Sequence, residues 1–245
     1  MEREAILNKK MLISVVLAVI IMEYTFYKYD INAGGTDVLY LITLPMALSM
    51  FGPYAGLFPT LPYALSFVEE YNSFYYCFIL IRSSRKKYAL KKVLNVGMSG
   101  GVMMIVAFMI IFVSALLMGT PTTANCISEF YEGTIWYPFA AVWGGKLVLL
   151  LKLMLAFLFG LVWSNVCLFF TIVSLNRYVA FISTFILYQF LWQNLSGTKL
   201  NPVYLLRADI VGYASFWEPF LIQLIIFAVL CVLNWIGIMR RIKIG

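Results

Sequence analysis

The sequence predicts an all-α, polytopic membrane protein with six transmembrane helices and both termini cytoplasmic. Three observations carry that expectation. Hydrophobic residues make up 63% of the 245 positions and charged ones 12%, too few charges to solvate the surface of a soluble domain of this length. The apolar residues fall in long uncharged runs separated by short polar breaks. The cations are not spread evenly over those breaks. With both termini inside, Arg3, Lys9, Lys10, Arg82, Arg85, Lys86, Lys87, Lys91, Lys92, Arg177, Arg240, Arg241 and Lys243 are cytoplasmic. That is thirteen of the 18 Lys and Arg and leaves Lys28, Lys146, Lys152, Lys199 and Arg207 outside, as the positive-inside rule requires of an even number of spans. The net charge of +7 is thus topological; the cations form no basic face on a polar domain, and nucleic acid is not an expected partner.

The first span, 11–27, lies between Lys10 and Lys28 and just reaches across a core of about 30 Å. No small-x-small cleavage pattern follows it, so it reads as an uncleaved span and not as a signal peptide. Glu23 falls near its outer end, either at the headgroup level or facing a substrate route. From Val38 to Val68 there are 31 uncharged residues, roughly 46 Å as one helix, more than a bilayer needs. Pro45, Pro53, Pro59 and Pro62, with Gly52 and Gly56, divide this run into a kinked second span, 38–58, and a bent exit. These prolines are kinks satisfied by packing, or they line a route; Glu23, Pro45 and Pro53 are the candidate route residues.

The third span, 93–118, begins NVGMSGG, where Gly97, Gly100 and Gly101 permit close helix approach. It is no phosphate loop, since no Lys-Ser/Thr pair follows the glycines. Gly119-Thr120-Pro121 ends it and opens an outer loop, 119–145, with Glu129, Glu132, Trp136, Tyr137 and Pro138; its aromatics are expected in the interfacial belt. Lys146 and Lys152 are expected to snorkel to headgroups at the outer start of the fourth span, 147–171. Asn176-Arg177 makes an inner turn before the fifth span, 178–194. Positions 195–219 hold Lys199, Arg207, Asp209 and Glu218 and are expected as an outer loop with interfacial or re-entrant pieces such as Val203 to Tyr213. The sixth span is 220–239.

The remaining break, 59–92, is the stretch best suited to meet a cytoplasmic partner. Glu69 and Glu70 precede an aromatic patch of Phe74, Tyr75, Tyr76 and Phe78, and six cations then occur between Arg82 and Lys92. Adjacent carboxylates on a helix point about 100° apart, so the two glutamates form no facing acid–base dyad. They read either as an acidic helix start favoured by the dipole or as partner contacts. The other reading of the cations is that they sit on lipid headgroups.

The chain has no histidine, which removes H-E-x-x-H metalloproteases, Ser-His proteases and histidine-ligated haem. Its four cysteines show no CxxC pair, so neither a disulfide framework nor a metal site is expected. No nucleotide-binding motif occurs, no ATPase activity is expected of this chain, and no acid or arginine falls in mid-span to bind a coupling ion.

Around the same break, LPYALSFVEEYNSFYYCFILIRSSRKKYALKKVLNVGMSGG resembles the inner-loop segment of permease subunits in the type-2 ABC exporter superfamily, particularly small bacterial ones. There a Ser-Phe-x-Glu element precedes a short amphipathic helix, then Arg-x-Ser-Arg-x-x-Tyr and a lysine; here these are Ser66, Phe67, Glu69, Arg82, Ser84, Arg85, Tyr88 and Lys91, with Ser99-Gly100-Gly101 beyond. The chain departs from that pattern at Phe74-Tyr75-Tyr76-Cys77, where a glycine is common. The resemblance implies a multi-pass subunit of a bacterial cytoplasmic membrane whose coupling helix docks into an ATP-binding subunit through Glu69, Glu70, Phe74, Tyr75, Arg82 and Arg85. ATP and Mg would sit on that partner, and a second permease copy or a sister subunit would complete the route. A hydrophobic or amphipathic cargo, such as a peptide, an antimicrobial or a lipid-like molecule, is expected from aromatic and Met-rich spans without a fixed charged site. The other reading of the same hub is a non-transporting anchor or sensor that recruits a cytoplasmic partner.

Overall fold

The computed structural model describes residues 8–28, 38, 41–42, 46, 51–118, 135–143, 145–208, 212–215 and 217–244. These are all helix, turn or loop, with no strand among them. In chain order the helices are α1 (Lys9–Lys28), the four-residue α2 (Phe51–Tyr54), the 3-10 turn η1 (Phe58–Thr60), α3 (Ser66–Asn72), α4 (Tyr75–Arg82), α5 (Arg85–Met118), α6 (Tyr137–Trp143), α7 (Gly145–Ser174), α8 (Arg177–Asn194), α9 (Pro202–Arg207) and α10 (Trp217–Ile244). Three of them, over Arg85–Met118, Leu147–Ser174 and Trp217–Ile242, are long and apolar enough to cross a membrane. Pro45, with part of the second expected span, and most of the first expected outer loop, including Glu129, Glu132 and Cys126, lie outside the described residues.

The bundle is assembled around α7, the most enclosed of the three long helices, which packs against α5, α8, α9 and α10. Its closest neighbour is α5. A methyl group built on Gly100 would stand 2.7 Å from the Gly160 carbonyl oxygen, and one on Gly160 would meet the Gly100 carbonyl and lie 2.8 Å from Gly101 Cα. The two backbones therefore touch where small side chains allow it, the packing role the glycine spacing predicts. Between α7 and α10 the contact is polar: Asn234 Nδ2 donates to the Asn165 carbonyl at 2.9 Å, inside fully buried surroundings. At the end of α7, Arg241 donates to the carbonyls of Ile172 (3.0 Å) and Val173 (2.7 Å), placing a cation on the negative pole of the helix.

The helix ends follow local chemistry. Asn176 caps α8 by accepting from the Tyr178 and Val179 amides, and Asn201 caps α9 through the Val203 amide with Pro202 in the first turn. Asn8 accepts from the Met11 amide at the start of α1 and donates to the Pro62 carbonyl at 2.8 Å.

The proline-rich exit after the second expected span is held by side chains from elsewhere. Tyr188 donates to the Gly52 carbonyl (2.5 Å), Gln189 to the Pro53 carbonyl (2.7 Å) and Ser14 to the Phe58 carbonyl (2.7 Å). A backbone broken by proline keeps its freed carbonyls satisfied this way, which is the packing reading of Pro53. Glu23 is half-buried on α1.

Two outer-side expectations are corrected. Lys152 does not snorkel: it is 1% exposed, two turns inside α7, with Nζ donating to the Arg207 carbonyl at 3.2 Å and lying 5.2 Å from the centre of the Trp136 ring. The physical reason is α9, a short buried helix that aims its C-terminal carbonyl at α7 and offers the ammonium a partner that headgroups would otherwise supply. Trp136 likewise is no interfacial belt residue but is completely buried beneath that lysine, whereas Tyr137 is exposed. Positions 202–207, expected within an outer loop, thus form a structured element packed on α7 and α8.

Outward, α1, α5, α8 and α10 carry rows of exposed large apolar side chains, such as Leu221, Ile225, Val232 and Ile236 on α10. Surfaces this apolar on several helices match lipid, not water.

Candidate docking site

The 59–92 break folds as two short helices leaning on a long one. The basic cluster is not a loop: Arg85 to Lys92 are the first eight residues of α5, which at about 1.5 Å per residue is roughly 51 Å long and so exceeds a core of about 30 Å by several turns. Ser84 precedes it, and its Oγ accepts from the Lys87 amide at 3.4 Å.

Of the two adjacent glutamates, one faces in and the other out. Glu70 accepts from Lys92 Nζ at 2.6 Å and from the Tyr88 hydroxyl at 2.6 Å. The Lys92 side chain is 3% exposed and that of Glu70 17%, and the ammonium also lies 4.5 Å from the centre of the Tyr63 ring. Glu69 instead pairs at 2.8 Å with Lys10 on α1 while both remain about half exposed. An exposed pair of this kind adds little stability; the enclosed one ties α3 to the root of α5 with a charge-assisted bond at each carboxylate oxygen.

The aromatic patch splits similarly. Tyr76 is buried and stacks on Tyr71 with ring centres 5.3 Å apart, holding α4 against α3. Phe74, Tyr75, Phe78 and Ile81 are exposed, at 67%, 57%, 66% and 81%. Phe74 joins the two helices with φ 56° and ψ 13°, a left-handed conformation that is rare and costly for a bulky side chain. A glycine would adopt this turn without that cost, and Phe74 opens the Phe74-Tyr75-Tyr76-Cys77 stretch in which the sequence departs from the expected pattern. Arg82 and Arg85 are both exposed.

Between α4 and α5 lies a groove of about 660 Å³. Tyr75, Phe78, Ile81 and Arg82 form one wall, and Lys87, Tyr88, Lys91, Lys92 and Asn95 form the other, with Tyr63 and Glu70 at its base. A second, apolar crevice of about 100 Å³ sits among α7, α8, α9 and α10. Neither is lined by Glu23 or Pro53, so the structure does not bring these candidate route residues together with the candidate docking residues.

Sequence reasoning singled out Glu69, Glu70, Phe74, Tyr75, Arg82 and Arg85, and the structure gathers all six on or beside α3 and α4. It named Tyr88 in the resembling pattern and Lys10 and Lys92 only as cations, and did not foresee Tyr63, the Lys10–Glu69 pair or the convergence of Tyr88 and Lys92 on Glu70. The available signal for Tyr88 and Lys92 was their spacing: residues four apart share one face of a helix.

Known family models, curated proteins and solved structures yield no match to this chain.

Proposed function

We propose that the chain is the membrane-spanning permease subunit of an ATP-driven exporter, with six spans, both termini cytoplasmic, and α3–α4 as the segment gripped by a separate ATP-binding subunit. The observation that carries this reading is mechanical. The segment exposes Glu69, Phe74 and Tyr75 while its Glu70 is locked to Lys92 and Tyr88 at the root of α5. A push on the exposed side is delivered to the base of a 34-residue helix, and α5 passes it to α7 through the Gly100–Gly160 contact. Movement of packed helices as rigid bodies is how a chain without ATP chemistry can perform work. In this scheme Glu70 acts as the internal tie, and Glu69, Phe74, Tyr75 and Arg85 touch the partner, with Arg82 on the rim. A second permease copy or a sister subunit completes the route, and the cargo is hydrophobic or amphipathic.

Phe74 supplies the test. The left-handed turn costs a phenylalanine about 1 kcal/mol relative to glycine, so Phe74→Gly is expected to raise the thermal stability of the isolated chain in detergent. The same variant is expected to lose most of the Mg-ATP hydrolysis that co-purifies with the tagged wild-type chain from its native membrane. A stabilised variant that retains full ATPase activity would remove Phe74 from the docking surface. A wild-type chain that brings down no ATPase activity would favour a non-transporting anchor.

A further inference from the structure

We infer that the groove between α4 and α5 is a binding site for an anionic phospholipid, whose phosphate is held by Arg82, Lys87 and Lys91 and whose acyl chains lie over Phe78, Ile81 and Leu94. The inference needs α5 to be a membrane span but does not depend on the exporter reading. Four observations lead to it.

Charge comes first. The ion pairs among the described residues are Lys10–Glu69, Lys92–Glu70 and Lys199–Glu218. Glu70 therefore offsets Lys92 within the groove, and the three other cations lining it, Arg82, Lys87 and Lys91, have no carboxylate of the described chain opposite them. Placement sharpens this. Lys87 and Lys91 are one turn apart on one face of α5, with Lys87 in its first turn. Cations at the positive pole of a helix oppose its dipole, so the potential at this end is positive from both side chains and backbone, and an incoming anion relieves it.

Depth is the third. The uncharged run of α5 begins directly after Lys92, so the lysines sit where the apolar core gives way to headgroups. Finally, the walls are mixed. Phe78 and Ile81 on α4, and Leu90 and Leu94 on α5, are exposed large apolar residues beside the cations. That combination suits a ligand with an anionic head and hydrocarbon tails. A volume of about 660 Å³ also exceeds what a lone phosphate would occupy and leaves room for a glycerol headgroup.

The experiment is native mass spectrometry of the purified full chain in detergent, titrated with phosphatidylglycerol or with phosphatidylcholine. Wild type is expected to retain phosphatidylglycerol preferentially. Lys87→Gln/Lys91→Gln is expected to lower that preference about 30-fold, at roughly fivefold per cation at a headgroup. Lys9→Gln/Lys86→Gln removes the same charge from exposed positions that do not line the groove and is expected to leave the preference within about twofold of wild type. All four lysines are exposed, and thermal unfolding in phosphatidylcholine nanodiscs checks that both variants remain folded. Equal losses in the two double variants, or no preference in wild type, would overturn the site. Displacement of the lipid by millimolar inorganic phosphate would also overturn it, because the groove would then recognise the phosphate alone.

Discussion

Gly160→Val is expected to prevent the chain from folding into a monodisperse bundle, whereas Gly212→Ala is expected to leave it unchanged. At Gly160 any Cβ meets the Gly100 carbonyl and lies 2.8 Å from Gly101 Cα, so the obstacle is backbone on the facing helix. A flexible side chain can rotate out of the way; a helix backbone can only move as a body, and moving α5 would open the packed seam from Gly97 to Gly101. Overpacking of this kind costs about 3 kcal/mol or more. Gly212 has no neighbour within 4 Å of its added methyl. Size-exclusion profiles and thermal unfolding in detergent make the comparison, and a Gly160→Val chain that elutes and melts like wild type would show that α5 and α7 are not in backbone contact.

The second large effect is expected at Glu70 and not at Glu69. Glu70→Ala deprives Lys92, with 3% of its side chain exposed, of its carboxylate, and removing one partner of an enclosed ion pair costs about 3 kcal/mol. Glu69→Ala breaks a pair whose members are 56% and 45% exposed, and the loss is expected below about 1 kcal/mol. The sign of the explanation is itself testable. If the cost arises from an ammonium buried without its counter-charge, Glu70→Ala/Lys92→Met should recover most of the lost thermal stability, since a neutral side chain of similar length needs no carboxylate. A double variant no more stable than Glu70→Ala would place the cost elsewhere in the α3–α5 contact.

These two sites divide differently between what can be read from residue order and what cannot. The glycine seam was legible, because Gly97, Gly100 and Gly101 sit at helical spacing in an uncharged run, where small residues have one obvious use. Their partner, Gly160, was not, since no property of position 160 says which helix faces it. For the glutamates the sequence supplied the residue types and the helical segment but not the phase. Neighbours on a helix differ by about 100°, and the direction of α5 decides that Glu70 meets Lys92 and Tyr88 while Glu69 looks outward.

Residue order alone determined that this is a helical membrane-type chain and where its long apolar helices run: the expected spans 93–118, 147–171 and 220–239 fall inside α5, α7 and α10. Hydrophobic periodicity and the placement of charge are local properties, and they suffice for that. Only the tertiary structure decided that α7 is the central helix, that Lys152 is buried against the end of α9, and that Phe74 occupies a left-handed turn. Each of those depends on what another segment brings alongside. A lysine seeks headgroups unless a helix end offers it a carbonyl, and a phenylalanine accepts an unfavourable backbone only where the helices on either side are fixed by their own contacts.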